Sequence, residues 1–235
     1  MSKERILREH YIEVEYSKQQ WDLLKEKRES AINLLKMFEN EGLRAYVYGS
    51  IARGNVHKNS DIDVIFLQQI TPFRVELILN KNNIFNYERE IIMATPKDAI
   101  KLYIYLSELE SITIPITKLN KTNLEFYDFG GKIDLKQLKI NLRVPGVDKR
   151  LVFIKPTKKG HIEYSLIGNE SIVAKEIGID IKTILEREKV LLKREKYGRT
   201  GVYLKKKIAP EESFEKVLKE LIKSKSIVRE KMLKR

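Results

Sequence analysis

Two short apolar segments joined by a polar connection, at positions 46–67, constrain this chain most. The first segment ends in Gly49 and Ser50, and the second opens with Asp61 and Asp63, which flank one isoleucine. Residues two apart on a strand point to the same side, so both carboxylates share one face. At an effective dielectric of about 20, two such charges about 6 Å apart repel by roughly 3 kcal/mol. This repulsion favours a site in which a cation lies between them.

The residue types in this segment suit magnesium and a nucleoside triphosphate. Carboxylates bind Mg2+ where nucleotide phosphates and water supply the remaining oxygens. Gly49 removes a side chain where the backbone approaches a ligand, and Ser50 lies at a predicted helix start, whose N–H groups favour phosphate. Arg53 follows one turn later and can hold a phosphate oxygen. We predict that Gly49, Ser50 and Arg53 bind the nucleotide and that Asp61 and Asp63 are catalytic metal ligands.

This pattern resembles the signature of the nucleotidyltransferase superfamily: a strand, Gly-Ser, about ten residues and then Asp-x-Asp on the next strand. The superfamily includes polymerase beta, kanamycin nucleotidyltransferase, the CCA-adding enzymes and the minimal nucleotidyltransferases. The resemblance implies an α/β (α+β) fold with a mixed sheet and packed helices. It also implies transfer of a nucleoside monophosphate from ATP or another NTP, with two Mg2+ ions holding the attacking and leaving oxygens.

The same resemblance implies a third carboxylate on a later strand, often the group that receives the proton of the attacking hydroxyl. Segment 86–95, NYEREIIMAT, predicts a buried strand entered from an exposed end. Glu90 directly precedes its apolar run and is our first choice for the third catalytic and metal-binding acid. Glu88, on the same face, and Asp134, in the segment GKIDL, remain alternatives.

Composition limits the chemistry. The 235 residues, 42% of them hydrophobic, can bury one large core or two modest ones. The absence of cysteine excludes a thiol nucleophile, a disulfide and a thiolate zinc site, and the three histidines are far apart in sequence. No apolar stretch approaches the roughly 20 residues of a membrane span, and the amino terminus has no signal-peptide core. We therefore expect a cytoplasmic protein without a membrane partner.

Charge is the second clue to function. Forty-six Lys and Arg against 33 Asp and Glu give a formal net charge of +13. An excess of this size favours a polyanionic partner, for which we prefer RNA to DNA. A lysine-rich proteome would raise the pI without any nucleic acid being bound, and this alternative stays open. Segment 193–207, KREKYGRTGVYLKKK, places two tyrosines among basic residues, which suits both a phosphate-binding surface and a solvated hairpin.

Helical and extended periodicities outline the first part of the chain. Apolar spacing predicts amphipathic helices over 23–39 and at about 72–80, and Thr-Pro predicts a further helix over 97–109. Segment 112–116 is expected to be a strand or loop, as is segment 124–129. The best candidate boundary is Pro-Gly at 145–146, which closes a nucleotidyltransferase domain at residues 1–145.

Beyond this boundary, two strand-like segments around PTKKG predict a hairpin. The following segment resembles a helix-turn-helix, with Ala174 as the small residue, Gly178 in the turn and Ile184 as the buried aliphatic. The Gly-Arg-Thr-Gly turn at 198–201 resembles a wing between strand-like flanks. We therefore predict a winged helix-turn-helix-like domain over 146–210, although the usual first helix is not evident.

Four basic residues of this second domain are predicted to contact nucleic acid: Lys182, Arg187, Arg199 and Lys205. The second helix also carries acidic residues, so it could pack within the protein instead of entering a groove. Residues 211–235 predict a basic amphipathic helix whose apolar stripe favours a docking or dimer face over a membrane face.

The whole chain is similar to an archaeal group of predicted nucleotidyltransferases with this two-part layout. Two functional classes remain open. The first is an Mg2+-dependent nucleotidyltransferase that acts on RNA. The second is a nucleic-acid-binding regulator whose first domain senses nucleotide, or a protein AMP-transferase similar to antitoxin relatives of the minimal group.

Overall fold

The computed structural model describes residues 11–85, 87–198 and 201–233. The chain divides into two compact units, each assembled from three stretches of sequence. The first unit holds the described residues within Met1–Ile32, Val47–Ser60 and Glu125–Thr200. The second holds those within Asn33–Tyr46, Asp61–Leu124 and Gly201–Arg235. The sequence predicted three consecutive domains, at 1–145, 146–210 and 211–235, and this division stays a prediction.

The described residues form nine helices and eleven strands. The helices are α1 (Lys18–Glu39), α2 (Ser50–Arg53), α3 (Pro72–Lys81), α4 (Lys121–Phe129), α5 (Leu135–Lys139), α6 (Glu170–Ile177), α7 (Ile181–Tyr197), α8 (Phe214–Ser224) and α9 (Ser226–Leu233). The strands are β1 (Ile12–Glu15), β2 (Tyr46–Tyr48), β3 (Ile62–Ile65), β4 (Glu88–Met93), β5 (Lys101–Tyr105), β6 (Glu110–Pro115), β7 (Lys132–Asp134), β8 (Gly146–Val147), β9 (Val152–Pro156), β10 (Gly160–Ser165) and β11 (Leu204–Ile208). The predicted α1, α3, β4 and β6 are confirmed.

The second unit is built on a mixed sheet with the strand order β11-β4-β5-β6-β3. β3 runs parallel to β6, and the other neighbours are antiparallel. One face of this sheet is apolar because alternate residues of the strands are aliphatic and buried: Ile62, Val64, Ile91, Met93, Leu102, Ile104, Ile112 and Ile114. The opposite face carries most of the polar residues of the same strands.

Two predicted elements are wrong. The segment predicted as a helix over 97–109 contains β5, in which Leu102 and Ile104 are buried on one face while Tyr103 and Tyr105 alternate with them. A period of two therefore governs this segment. Segment 124–129, predicted to be a strand or loop, belongs to α4, whose start is stabilised by the Asn120 side chain accepting from the Asn123 N–H at 2.8 Å.

The carboxyl-terminal segment also differs from the prediction. Instead of one helix over 211–235 the chain forms α8 and α9, separated by Lys225 in an extended conformation. Ser213 caps α8 by accepting from the Lys216 N–H. The apolar stripe of α8 is buried within the chain, at Phe214, Val217, Leu218 and Leu221. This stripe is therefore part of the core and not the exposed docking or dimer face that the sequence predicted.

The first unit contains an antiparallel sheet with the order β1-β10-β9-β8. The predicted hairpin is confirmed as β9 and β10. Residues from this sheet, α4, α6 and α7 form one apolar cluster: Phe129, Val147, Leu151, Phe153, Leu166, Val173, Ala174, Ile184 and Leu191. Ala174 and Ile184 are buried as the helix-turn-helix resemblance required, and Gly178 has the positive φ of 79° that a turn glycine adopts.

The structure does not show a winged helix in the described residues. The residues before the predicted wing turn are helical, because α7 continues to Tyr197. In a wing, the strand after the turn would pair with a strand directly before it, whereas β11 pairs with β4. Arg199 and Thr200, in the turn itself, lie outside the described residues. A strand-like composition around Gly-Arg-Thr-Gly was therefore misleading on its amino-terminal side.

A partly buried polar cluster joins Tyr16, the residue after β1, to β10. The Tyr16 hydroxyl lies 2.8 Å from His161 Nδ1, and His161 Nε2 lies 3.4 Å from Glu163 Oε2. Burial raises the pKa of Tyr16 to about 12. The hydroxyl therefore stays protonated and donates a hydrogen bond to Nδ1. The proton of the neutral imidazole is then on Nε2. Burial also lowers the pKa of His161.

We predict that His161 makes the protein less stable in acid. Since the folded-state pKa of His161 is lowered, its contribution is fully present above the ordinary pKa of about 6.5 and is lost as the pH falls through the lowered value. His161→Gln, which cannot be protonated, should reduce the drop in Tm between neutral and mildly acidic pH. An unchanged pH dependence of Tm would contradict this role.

Candidate functional site

The polar face of the second-unit sheet brings together several of the charged residues that the sequence singled out. We define the polar face by the following side chains: Asp63, Tyr103, Tyr105, Ser111, Thr113, Glu88, Glu90, Lys205 and Lys207. They share one side because each strand alternates them with the residues of the apolar face. Asp61 directly precedes β3 and, like Asp63, is half-buried. Both aspartates are thus positioned by a strand whose alternate residues are anchored in the core.

The closest neighbour of Asp63 on the adjacent strand is a hydroxyl. Ser111 is the register partner of Asp63 in the parallel pairing of β3 and β6. Ser111 Oγ donates to Asp63 Oδ1 at 2.6 Å, which fixes the orientation of that carboxylate. The sequence analysis missed Ser111, because strand pairing between segments about 50 residues apart carries no local signal.

Two tyrosines from β5 lie in the middle of the polar face. Burial first, and then the neighbouring Glu90, raises the pKa of Tyr105 to about 12. Burial is also the main cause that raises the pKa of Tyr103 to about 12. Both phenols are therefore protonated near neutral pH. The Tyr105 hydroxyl donates to Glu90 Oε2 at 3.4 Å, a long hydrogen bond.

Glu90 is buried and lies between Tyr105 and two lysines of β11. Lys205 Nζ lies 3.1 Å from Glu90 Oε2, and Lys207 Nζ lies 3.9 Å from Glu90 Oε1. Lys207 Nζ also lies 3.3 Å from Glu88 Oε2. A carboxylate removed from water needs such partners, because burial without them is costly. Lys205 was predicted as a nucleic-acid contact, and the structure shows that it also neutralises Glu90.

The structure does not bring Glu90 next to the aspartates. β6 and β5 both lie between β3 and β4, so three strand spacings separate the backbone at Asp63 from that at Glu90, about 14 Å. Among residues 11–85, 87–198 and 201–233 there is no group of three or more histidine, cysteine or acidic side chains that could hold a metal ion. The aspartate pair and Glu90 are therefore two separate groups on one face.

The predicted nucleotide contacts Gly49, Ser50 and Arg53 belong to the first unit. Gly49 has φ +84° and ψ −143°, a conformation that favours glycine, and it lies directly before the short helix α2. Its N–H donates to the Gly131 carbonyl at 2.8 Å. Glycine is thus required here by the backbone turn, whatever ligand approaches it.

Arg53 is buried in the first unit and makes hydrogen bonds to the protein itself. Its guanidinium donates to the Gly130 carbonyl, to Asn55 Oδ1 at 3.1 Å and to the Val147 carbonyl at 3.5 Å. Burial lowers its pKa to about 10, which still leaves the side chain charged at neutral pH. These contacts join the stretch that contains α2 to the later residues Gly130 and Val147 of the first unit.

We predict that Arg53→Met lowers the free energy of unfolding by about 1–3 kcal/mol, because buried carbonyls lose their donors. Lys58→Met, at an exposed position of the same stretch, is the matched control and should leave stability unchanged. Chemical denaturation measures both. Unchanged stability of the Arg53 variant together with weaker NTP binding would support the phosphate contact that the sequence predicted.

The alternative third acids have different surroundings. Asp134 caps α5: its side chain accepts from the Gln137 N–H at 2.9 Å, while the Gln137 side chain accepts from the Asp134 N–H. This capping box gives Asp134 a structural role. Glu88 is exposed and pairs with Lys207.

The remaining predicted nucleic-acid contacts lie on α7 or outside the described residues. Lys182 is exposed in the first turn of α7. Arg187 is half-buried, with its guanidinium 4.6 Å from the ring centroid of Phe126. Its position favours packing within the first unit, whereas that of Lys182 leaves the side chain in solvent. Arg199 lies outside the described residues.

Comparison with known protein families identifies the segment that carries the aspartates. Residues 29–122 match the family model described as polymerase beta, nucleotidyltransferase. These residues form a polymerase beta-like nucleotidyltransferase domain. The match includes Asp61, Asp63 and Glu90 and ends before α5. Searches of curated proteins and of solved structures gave no significant match.

The nucleotidyltransferase domain is followed by residues that lie outside the family match and carry much of the positive charge. Residues 201–235 contain 11 Lys and Arg against 5 Asp and Glu. Within the part of the chain that the structure describes, no helix is both long and apolar enough to cross a membrane.

Proposed function

We propose that the protein is an Mg2+-dependent nucleotidyltransferase that transfers a nucleoside monophosphate from an NTP to RNA. The observation that carries the proposal is the pair Asp61 and Asp63 at the start of β3, inside a domain of this family, with Asp63 oriented by Ser111. The distribution of positive charge and the lysines of the polar face support a polyanionic acceptor.

The aspartate pair fits magnesium. Mg2+ is commonly bound through one or two carboxylates, with substrate phosphates and water completing its coordination. Asp61 and Asp63 supply two carboxylates that are half-buried and therefore accessible to a bound nucleotide. When bound, the metal would neutralise charge on the transferring phosphoryl group. Ser111 fixes one oxygen of Asp63, so the pair is preorganised for the ion.

The nucleotide contacts are proposed from the glycine turn. Gly49 and Ser50 would approach the phosphates through the backbone and the hydroxyl. Arg53 would stabilise this turn, since its guanidinium donates hydrogen bonds to the Gly130 and Val147 carbonyls of the first unit.

Glu90 has a different proposed role from the one that the sequence suggested. Because Glu90 is about 14 Å from the aspartates along the sheet and pairs with Lys205, we assign it to positioning that lysine. The proton of the attacking hydroxyl would then pass to a group at the aspartate pair, where the reacting atoms lie.

A second candidate function is a nucleic-acid-binding regulator that senses nucleotide, or an enzyme that transfers AMP to a protein. One observation favours the regulator: the strand next to β3 presents Ser111 beside Asp63 instead of an acid. Incubation of the full chain with each labelled NTP, Mg2+ and either total RNA or total protein separates these functions. Label in RNA supports the first proposal, label in protein supports AMP transfer, and nucleotide binding without transfer supports the sensor.

We predict that Asp61→Asn and Asp63→Asn each abolish transfer and leave Tm nearly unchanged in metal-free buffer. Each acid serves the metal, and neutralising one relieves repulsion in the metal-free protein. Glu90→Gln should lower turnover by less than about 10-fold, well below the 100-fold or more expected for loss of a general base. A larger loss in Glu90→Gln, with KM values unchanged, would restore Glu90 as the third catalytic acid.

Ser111→Ala provides a test of the positioning of Asp63. Loss of the hydrogen bond should raise the Mg2+ concentration needed for half-maximal NTP binding by about 10-fold, the lower end of the effect of removing a metal-orienting partner. Ser111→Thr, which retains a hydroxyl, should restore most of the affinity. If both variants bind Mg2+-NTP like the parent, Ser111 does not orient the metal ligand.

A further inference from the structure

β11 adds two lysines to the edge of the polar face. Lys205 and Lys207 alternate with Lys206, which pairs in register with Ile91 and therefore lies on the opposite side of the strand. The two lysines of the polar face contact Glu90 and Glu88, which hold their ammonium groups over the sheet. The edge strand thus presents a pair of oriented cations on the same face as Asp63.

These lysines can accept another anionic partner. Their side chains remain 54% and 69% exposed in the ion pairs with Glu90 and Glu88. Glu88 is exposed, so its ion pair with Lys207 contributes little free energy and a phosphate can displace this carboxylate. Lys205 pairs with a buried carboxylate and keeps that partner, but its exposed ammonium has further N–H donors for a phosphate.

The tyrosines between the lysines and the aspartates provide aromatic surface. The rings of Tyr103 and Tyr105 are stacked, with centroids 6.2 Å apart and an interplanar angle of 17°. Tyr105 is half-buried, so part of its ring is exposed on the polar face. Aromatic rings beside cations are the elements with which proteins bind single-stranded nucleic acid, because every base has a face that can stack.

Distance separates these lysines from the phosphates of the reacting nucleotide. β11 lies four strand spacings from β3, about 19 Å along the sheet. Two metal ions that act on one phosphoryl group lie only about 4 Å apart. The lysines are therefore too remote to bind the metal-held phosphates. A polymer whose end reacts at Asp63 would extend across β6, β5 and β4 and place earlier phosphates at β11.

We propose that the polar face binds the single-stranded end of a nucleic acid acceptor, with Tyr105 stacking on a base and with Lys205 and Lys207 contacting phosphates. This inference rests on the proposed transfer to RNA and assigns the acceptor path. It makes Lys205 and Lys207 acceptor-binding residues rather than contacts of the NTP.

The test measures binding of the full chain to a fluorescein-labelled single-stranded oligoadenylate of about 10 nucleotides, a length within the site sizes of single-strand binding surfaces. The double variant Lys205→Gln with Lys207→Gln should bind more weakly, and its log–log salt slope should be shallower by about 1.4, the value for two phosphate contacts on a single strand. Lys206→Gln is the matched control on the same strand. It removes one positive charge from the opposite side of β11 and should leave the salt slope close to that of the parent. Thermal melting of all variants excludes loss of folding.

Kinetics and a tyrosine variant complete the test. In transfer assays the double variant should raise KM for the oligonucleotide by about 10-fold or more and leave KM for the NTP unchanged, and Tyr105→Ala should weaken oligonucleotide binding by about 10-fold. A raised KM for the NTP alone would overturn the acceptor path and assign the lysines to the nucleotide. Equal effects of the double variant and Lys206→Gln would also overturn it. If the parent transfers label to RNA and the double variant binds and reacts like the parent, only this inference is overturned. If label enters protein instead of RNA, the proposed function itself is overturned.

Discussion

The parallel pairing of β3 with β6 determines what surrounds Asp61 and Asp63, the proposed metal ligands. This pairing places Ser111 opposite Asp63, and the hydrogen bond between them fixes one carboxylate on the surface of the sheet. The strand order then sets how far each other group on the polar face lies from β3. Across the sheet, the acidic pair at β3 is consequently followed by the two tyrosines of β5 and then by the lysines of β11.

Strand order also explains which parts of the site were predictable from the sequence. Asp61, Asp63 and the glycine turn could be proposed from the sequence because their spacing is local and each strand alternates residues with period two. Ser111 and the Glu90 to Lys205 ion pair were not found, because they depend on which strands pair across long stretches of chain. Glu90 was assigned a metal role from its place before an apolar run, a pattern that gives no information on the number of strands between it and Asp63.

The fold was predictable to a similar degree. Long amphipathic helices such as α1 and α3 were recognised from their periodicity, and so was the hairpin of β9 and β10. Segment 97–109 was assigned to a helix from the preceding Thr-Pro, and the two buried aliphatic residues of β5 are too few to establish a period of two. The wing was predicted from composition, whereas α7 extends to Tyr197 and β11 pairs with β4. β11 in particular pairs with a strand that is far from it in sequence, which local composition does not reveal.

The net charge overstates the number of cationic groups available to a polyanion, because several arginines donate hydrogen bonds to backbone carbonyls of the protein. Arg28 donates to the carbonyls of Ile51, Ala52 and Leu142. Arg89 likewise donates to the carbonyls of Ala209, Pro210 and Glu212 in the second unit. Such a guanidinium satisfies several carbonyl acceptors at once, which an ammonium with its compact charge does less well. Exposed lysines such as Lys205 and Lys207 are therefore the residues from which we infer contact with phosphate.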